Sequence, residues 1–204
     1  MSLRTPLYDL KQFNSVYEPS EDTFLLLDAL ESELTYIESL KPLLIVEVGS
    51  GSGIVITSVA SFFKNEALYF SSDINPCACL CTLKTASLNN VHVHCINMDL
   101  LFNFKSTFDI VIFNPPYVCT EMSEISPGIN RAWAGGLDGR VIIDRFLLHL
   151  EHVLKPKGVC YMVAIKENKP YEIIEKMSCN FNACVVKKRK ILGEHLFVLR
   201  LIKL

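Results

Sequence analysis

Short apolar runs alternate with segments of helical character along almost the whole chain. Runs of mainly Val, Ile, Leu and Phe predict buried strands at 43–48, 67–72, 91–96, 108–113, 159–164, 183–186 and 196–202. The segments between them predict helices at 20–39, 54–62, 75–87, 141–154 and 171–177. This alternation predicts an α/β fold: a Rossmann-like, seven-stranded, mostly parallel sheet with helices on both faces. We expect the last two strands to pair antiparallel and the third strand to lie at an edge.

Two segments interrupt the alternation. Residues 1–16 are irregular, and we expect them to order only over the ligand site. Residues 118–139 combine Pro, Ser and Gly with little periodicity; loops of this length in compact domains are usually functional, so a substrate-binding lid is predicted. A turn is predicted at 156–158. At 204 residues the chain is long enough for one good core and short for two, so one domain over 1–204 is expected.

Charge and hydropathy exclude several classes of protein. The formal charge is −2 and the pI is near 6.2, and the one basic run, at 187–190, is interpreted as a solvated strand end or turn. Direct nucleic-acid binding is therefore not expected, because phosphate contacts need clustered Lys and Arg. The chain lacks an apolar run of about 18 residues and an N-terminal signal-peptide core, which predicts no membrane association and a cytoplasmic or also nuclear location.

The eight cysteines do not predict a metal site. None falls in a CxxC pair, and no matching Cys/His pair follows Cys77, Cys79 and Cys81. Side chains two positions apart on a helix do not converge on one ion. All eight are interpreted as small, mostly buried hydrophobic residues.

A glycine-rich loop, with Gly49, Gly51 and Gly53, follows the first predicted strand. Strand, glycine loop and helix open a nucleotide-binding βαβ unit, although a tight turn would explain the glycines equally. The spacing departs from the G-x-G-x-x-G fingerprint of dinucleotide sites, because Ile54 stands in place of the third glycine. Glu47 precedes the loop; its carboxylate would repel a pyrophosphate and suit an amino-bearing ligand, such as the methionine part of S-adenosylmethionine.

Acidic residues also follow the next two predicted strands. Asp73 lies 22 positions beyond Gly51, where an acid accepts hydrogen bonds from ribose hydroxyls. Asp99 could accept from an adenine amino group, although an ordinary turn aspartate explains it equally well. Together with Glu47, these acids on one edge of the sheet outline a nucleoside site.

The segment Asn114-Pro115-Pro116-Tyr117 follows the fourth predicted strand. Two prolines cannot continue a strand, so the chain must leave the sheet as a stiff segment. The Asn114 side-chain oxygen and a proline carbonyl can each accept one hydrogen from a planar NH₂ group, on which Tyr117 can pack. Two acceptors fix the plane of that nitrogen and stabilise the positive charge that builds as a methyl group arrives. The alternative interpretation of this segment is a rigid turn that only ends the strand.

These motifs in combination resemble a class I S-adenosylmethionine-dependent methyltransferase that modifies amino groups. Two further stretches resemble the HemK/PrmC protein-glutamine methyltransferases: Tyr17-Glu18-Pro19-Ser20-Glu21-Asp22-Thr23-Phe24 and Trp133-Ala134-Gly135-Gly136-Leu137-Asp138-Gly139-Arg140. The resemblance covers about residues 15–204. Because the first motif comes almost at the start of the chain, the sequence looks like the short eukaryotic and archaeal form.

The resemblance implies a substrate, a partner and a set of site residues. The substrate would be the glutamine side-chain amide in the Gly-Gly-Gln motif of a class I translation release factor, and lysine in histones is a second substrate for some members. The partner would be a small zinc-binding activator subunit that covers an apolar sheet edge. By motif match, the residues that bind the cofactor would be Thr23, Glu47, Gly49, Gly51, Asp73, Asp99, Leu100 and Asn114. Asn114 would also hold the amide, helped by Pro115, Pro116 and Tyr117.

Three alternatives stay open at this point. A methyltransferase of the adenine N6 amino group in DNA or RNA would use the same motif, but the chain shows no base-recognition domain or basic cleft. A non-catalytic scaffold subunit would keep the fold, yet no motif position is degraded. A nicotinamide dehydrogenase is least favoured because of the glycine spacing.

Overall fold

The computed structural model describes residues 2–119 and 138–204. Within these ranges the helices and strands are α1 Glu21–Ser32, α2 Leu34–Ser39, β1 Leu44–Val48, α3 Ile54–Phe63, β2 Leu68–Asp73, α4 Pro76–Leu88, β3 His94–Asn97, β4 Phe108–Phe113, α5 Val141–Val153, β5 Leu154–Ile165, α6 Pro170–Met177, β6 Phe181–Ile191 and β7 Glu194–Lys203. Two short 3₁₀ turns, Lys64–Glu66 and Lys166–Asn168, follow α3 and β5. No helix in the described part of the chain is long and apolar enough to cross a bilayer.

The seven strands form one sheet in the order β3-β2-β1-β4-β5-β7-β6. Strands β1 to β5 run parallel, whereas β7 runs antiparallel to both β5 and β6. The predicted fold class, including the C-terminal antiparallel pair and the edge position of β3, is confirmed. Val111 and Ile112 are fully buried although neighbouring residues in a strand point to opposite faces, so both faces of β4 are covered.

The register of the parallel strands determines where the loops meet. Val48 lies beside Ser72 on one side and Phe113 on the other, and Asp73 lies beside Asn97. The loops that follow β1 to β4 therefore leave the sheet at one edge, the carboxyl edge of the strands. In open α/β sheets this is the edge at which ligands bind.

Residues 2–16 contain neither helix nor strand, and side chains of α3, of α4 and of the two residues that flank α4 hold them; Ser58 donates to the Arg4 carbonyl oxygen and Lys84 pairs with Asp9. Asn89, just beyond α4, accepts a hydrogen bond from the Leu7 main chain and donates one back to it. Asn75, the N-cap of α4, donates to the Ser15 carbonyl oxygen. These contacts lead the N-terminal segment to the carboxyl edge of the sheet.

The helix predicted over 20–39 is two helices, and that prediction is wrong. The backbone leaves the helical region at Glu33 (φ −98°, ψ 2°), between α1 and α2. Neither Pro nor Gly marks this position in the sequence. The Glu33 carboxylate accepts hydrogen bonds from Tyr161 and Arg200, which come from strands far along the chain, so the break coincides with a tertiary contact.

The turn predicted at 156–158 is a bulge inside β5, so this prediction is also wrong. Leu154 pairs with Phe108 and Val159 pairs with Ile110, which leaves four residues of β5 opposite one residue of β4. A bulge accommodates the extra residues while the strand continues in the same direction. Pro156 and Gly158 are compatible with a bulge as well as with a turn.

The basic run at 187–190 lies near the end of β6 and is only partly solvated. Arg189 forms ion pairs with Glu21, the first residue of α1, and with Asp28, the eighth of its twelve residues. Partly exposed pairs of this kind contribute little stability, on the order of 1 kcal/mol or less. They connect α1 to the edge strand β6.

The prediction that the cysteines are mostly buried is wrong. Only three of the eight are buried, because the others lie on outward helix faces, loops and edge strands; the buried ones are Cys79, Cys81 and Cys160. Among the described residues, no three His, Cys, Asp or Glu side chains are grouped closely enough to hold a metal ion.

Replacement of Gly53 by Ala tests how tightly α3 packs on α4. Gly53 has φ +76°, and an added Cβ would lie 2.6 Å from the Thr82 Cα. We expect Gly53→Ala to lower the free energy of unfolding by roughly 2–5 kcal/mol, measured by urea denaturation. Gly193→Ala is the matched control: its φ is +86°, but nothing lies within 4 Å, so only the backbone cost of about 1 kcal/mol is expected. Equal losses in the two variants would contradict the close packing.

Candidate active site

A cavity of about 900 Å³ opens at the carboxyl edge of the parallel strands. Its size suits a small-molecule ligand. The structure brings together around it every site residue predicted from the sequence: Thr23, Glu47, Gly49, Gly51, Asp73, Asp99, Leu100, Asn114, Pro115, Pro116 and Tyr117.

The glycine loop is bound to the end of β2 through Asp73. The Gly51 N–H donates to one carboxylate oxygen of Asp73 at 2.9 Å, and the Asn75 N–H donates to the other at 2.8 Å. Burial raises the pKa of Asp73, and these backbone bonds oppose that rise. Each carboxylate oxygen has a second lone pair, so Asp73 can still accept hydrogen bonds from a ligand.

Glu47 is the most deeply buried acid of the cavity wall. It is 3% exposed, and its Oε2 accepts a hydrogen bond from the Ile56 N–H at 2.9 Å. Burial raises the pKa of Glu47 well above its ordinary value, and the bond from Ile56 opposes this. A cationic group in the cavity would stabilise the ionised form.

Asp99 and Leu100 form the turn that follows β3. Asp99 is paired with Arg145 of α5 through a 2.7 Å contact to Oδ2, a contact that the sequence did not predict. Leu100 is buried in the left-handed region, with φ +50°. The pair with Arg145 occupies one oxygen of Asp99 and leaves Oδ1 as a potential acceptor.

Asn114 is held in one orientation by Asp22. Asn114 Nδ2 donates to Asp22 Oδ2 at 3.0 Å, and the Tyr117 hydroxyl donates to the same oxygen at 2.9 Å. Because a carboxylate can only accept, the amide nitrogen of Asn114, a residue that lines the cavity, must face Asp22 and its oxygen must point away from Asp22. That Oδ1 atom is buried and has no hydrogen-bond partner among the described residues. An unpaired buried acceptor costs about 1–3 kcal/mol, which favours a ligand that donates a hydrogen to it.

The other oxygen of Asp22 is also occupied. Asp22 Oδ1 accepts from the Thr23 N–H at 2.7 Å and from the Tyr17 hydroxyl at 3.4 Å. Burial and the Asp22 charge raise the pKa of Tyr17 to about 12 and raise that of Tyr117 further. Both phenols therefore stay protonated at neutral pH and remain donors to Asp22, which is itself only 4% exposed.

Comparison with known proteins identifies the family. The family model described as the methyltransferase small domain matches residues 17–129. Methyltransferase HEMK2 of Mus musculus is 46% identical over 184 residues, which cover 86% of this chain and 85% of the mouse protein. The eRF1 methyltransferase catalytic subunit mtq2 of Schizosaccharomyces pombe is 39% identical over 96% of this chain and 92% of its own length. The chain belongs to the HEMK2/Mtq2 family of methyltransferases.

Solved structures extend the comparison. A structure of the E. cuniculi Mtq2–Trm112 complex contains a chain that is 28% identical and has a TM-score of 0.70; the match covers 93% of this chain and 99% of that one. A ribosomal protein L11 methylase from Lactobacillus delbrueckii, at 16% identity and a TM-score of 0.64, shares the fold.

Sequence reasoning missed several residues of this HEMK2/Mtq2 site. Asp22 lies in the stretch 17–24 that carries the resemblance, but the sequence predicts no role for its side chain. Ile191 and Glu194 of the β6–β7 hairpin line the cavity mouth, as does Arg145 of α5. These three come from remote elements, and no local motif points to them. The predicted lid falls largely at 120–137, outside the described residues, and so do Trp133 to Leu137 of the second stretch.

Replacement of Asp22 by Asn tests whether the carboxylate fixes Asn114. An amide at this position offers only one acceptor oxygen in place of two, so its NH₂ group must face either the Asn114 and Tyr117 donors or the Thr23 N–H, and either arrangement disturbs the alignment of Asn114. Since small misplacements in an active site can cost about 100-fold, we expect Asp22→Asn to slow single-turnover methyl transfer by roughly 10- to 100-fold. We expect its affinity for the methyl donor to stay within about threefold.

Asp28→Asn is the matched control for that experiment. Asp28 lies on the same helix and pairs with Arg189 away from the cavity. Its replacement should leave the rate of methyl transfer unchanged. A rate for Asp22→Asn equal to that of Asp28→Asn would show that Asp22 does not orient the site.

Proposed function

We propose that the chain transfers a methyl group from S-adenosylmethionine to the side-chain amide of a glutamine in a class I translation release factor of the eRF1 type. The observation that carries the proposal is the unpaired, buried Oδ1 atom of Asn114, a cavity-lining residue whose amide nitrogen is held by Asp22. A glutamine amide supplies the hydrogen that this oxygen lacks.

The residues of the cavity fit S-adenosylmethionine. The Glu47 carboxylate suits the ammonium group of the cofactor, and Asp73 suits the ribose hydroxyls. Asp99 has an oxygen free of Arg145 that suits the adenine amino group, while Thr23 and Leu100 contribute further contacts. When bound, this cofactor supplies an electrophilic methyl group on a sulfonium centre.

The segment 114–117 orients the substrate amide. Asn114 Oδ1 accepts one of the two amide hydrogens, and the carbonyl of Pro115 or Pro116 accepts the other. Two acceptors hold the nitrogen in one plane and stabilise the positive charge that develops on it during transfer. Tyr117 acts mainly through its hydroxyl, which donates to Asp22 and so helps to hold Asn114.

The names of similar proteins support this substrate. The Schizosaccharomyces pombe relative is an eRF1 methyltransferase catalytic subunit, and the E. cuniculi Mtq2–Trm112 complex is described as responsible for the methylation of the eRF1 termination factor. Both similarities extend over more than nine-tenths of this chain. The net charge of −2 further favours a protein over DNA or RNA as the substrate.

A small activator subunit of the Trm112 type would bind at the β3 edge. β3 is the outermost strand on its side of the described sheet and has a free hydrogen-bonding edge. A second cavity of about 460 Å³ lies beside it and is lined in part by Tyr69, His92 and His94. The Trm112 chain in the E. cuniculi complex supports a partner of this kind, and the family resemblance implies that it binds zinc.

The proposed function is tested by methyl transfer from labelled S-adenosylmethionine. An eRF1-type release factor, histones and DNA are assayed in parallel, each with and without a Trm112-type subunit. We expect label on the release factor in the presence of the subunit, at its Gly-Gly-Gln glutamine. Asn114→Ala should reduce transfer by about 100-fold or more while cofactor affinity changes less than about tenfold.

The controls in this assay separate the alternatives. A release factor with Gln→Glu in that motif should take up no label. Label on DNA and none on the release factor would replace the proposal with adenine methylation. Label on histones alone would replace glutamine with lysine as the substrate.

The pH dependence of cofactor binding tests the assignment of Glu47. Burial raises the pKa of Glu47, so the carboxyl stays protonated above its ordinary range in the free protein. Binding of an ammonium group favours the ionised form, so affinity should rise with pH, by at most about tenfold per pH unit, and binding should release a proton. Calorimetry between about pH 5 and pH 7 in two buffers of different ionisation enthalpy measures that release. Glu47→Gln should abolish it; equal proton release in both proteins would rule out this role.

A further inference from the structure

Asn168 is fully buried in the 3₁₀ turn after β5, and each end of its amide is hydrogen-bonded. Its Oδ1 accepts from the Ile165 N–H at 2.8 Å. Its Nδ2 donates to the Tyr117 carbonyl oxygen at 2.9 Å and to the Asp138 carbonyl oxygen at 3.0 Å. One side chain therefore connects the end of β5, the end of the 114–117 segment and the approach to α5.

The main chain of Gly139 packs against the hydrogen bond between Asn168 and the Tyr117 carbonyl oxygen. Its φ is +64°, and an added Cβ would come within 1.9 Å of the Tyr117 carbonyl oxygen and 2.5 Å of Asn168 Nδ2. The main chain at Gly139 therefore lies directly against the carbonyl that Asn168 holds. No side chain larger than hydrogen fits without displacing one of the two.

Arg140 anchors this arrangement to two helices. Its guanidinium is largely buried and pairs with Asp144 of α5 at 2.7 Å and with Glu172 of α6 at 2.8 Å. Burial alone would lower the pKa of Arg140. The ion pairs with Asp144 and Glu172 favour the charged guanidinium, and the pKa of Arg140 is raised above its ordinary value. The segment 138–140 is thus fixed on both sides of Gly139.

Among the described residues, the backbone of the 114–117 segment has few other constraints. Pro115 and Pro116 lack N–H groups and cannot donate to a neighbouring strand. Tyr117 is held at its two ends: the hydroxyl by Asp22 and the carbonyl by Asn168. Loss of the second contact would let Tyr117 turn and would loosen the common oxygen of Asp22 on which Asn114 depends.

We propose that Asn168 is a positioning residue for methyl transfer, which holds the Tyr117 main chain so that Asp22 and Asn114 keep their mutual orientation. This inference rests on the proposed function of the 114–117 segment. Asn168 lies outside the cavity lining and acts through Tyr117, not on the substrate. Replacement of Asn168 should therefore lower the rate of methyl transfer without lowering the affinity for the cofactor.

Asn168→Ala separates positioning from binding. Its kcat for the release-factor substrate should fall by about tenfold or more, because the reacting groups lose alignment. Affinity for S-adenosylhomocysteine, measured by calorimetry, should stay within about threefold, since Glu47, Asp73 and Asp99 are not in contact with Asn168.

Asn168→Asp provides a readout that a general loss of stability would not give. The protonated carboxyl can donate one hydrogen to a carbonyl, whereas the ionised form donates none and repels both carbonyl oxygens. The ratio of variant to wild-type kcat should therefore fall as the pH rises, by about fivefold or more between pH 6 and pH 8.5, because burial and the two carbonyls raise the pKa of the introduced carboxyl. The Ile165 N–H, which donates to Oδ1, opposes that rise. Charged residues on the adjoining segments, which also shape that pKa, are Asp138, Arg140, Lys166, Glu167, Lys169 and Glu172.

Tyr161→Phe is the control for lost stability. Tyr161 is buried on β5, and its hydroxyl donates to Glu33 far from the 114–117 segment. This variant loses one buried hydrogen bond and should keep the wild-type kcat at every pH.

Two results would overturn the role of Asn168. One is a pH-independent ratio for Asn168→Asp together with a wild-type kcat for Asn168→Ala. The other is a loss of cofactor affinity as large as the loss of kcat, which would indicate general disruption. The activity of the wild-type enzyme on the release factor is measured in the same series. If the wild type does not methylate the release factor, the proposed function fails, and this result is distinguished from a failure of the role of Asn168.

Discussion

The carboxylate of Asp22 is the interaction on which the rest of the site depends. A carboxylate can only accept hydrogen bonds, so it decides that the nitrogen of the Asn114 amide faces Asp22 and that the oxygen stays unpaired. The two residues lie 92 positions apart, and the contact exists only because α1 is placed against the sheet. The buried Leu25, Leu26 and Leu30 of α1 pack in the main hydrophobic core and place the helix there.

The parallel sheet supplies the second constraint. Loops that follow β1, β2, β3 and β4 leave one edge of the sheet, so acids and amides at the ends of distant strands meet around one cavity. The glycine loop is tied to Asp73, and Tyr117 is tied to Asn168 across β4 and β5. The site is thereby built from rigid strand ends, and its polar groups are oriented before any ligand arrives. Pre-organisation of this kind lowers the cost of aligning substrate and cofactor.

The fold and the cavity wall could be predicted because their signals are local. Apolar runs reveal strands, and residues directly after a parallel strand lie at its carboxyl edge, which places Glu47, Asp73 and Asn114. Asp22 and Asn168 could not be assigned a role in this way, since their partners are distant in sequence and each has an ordinary local explanation. The helix break at Glu33 was missed for the same reason: the residues that contact it come from β5 and β7.

The most direct test of the account is a crystal structure of the protein with S-adenosylhomocysteine and a peptide that contains the Gly-Gly-Gln motif. In that structure the glutamine amide nitrogen should lie within about 3 Å of Asn114 Oδ1. Asn114 Nδ2 and the Tyr117 hydroxyl should remain on Asp22. A structure in which Asn114 turns its nitrogen toward the peptide, or in which the glutamine binds elsewhere, would contradict this account.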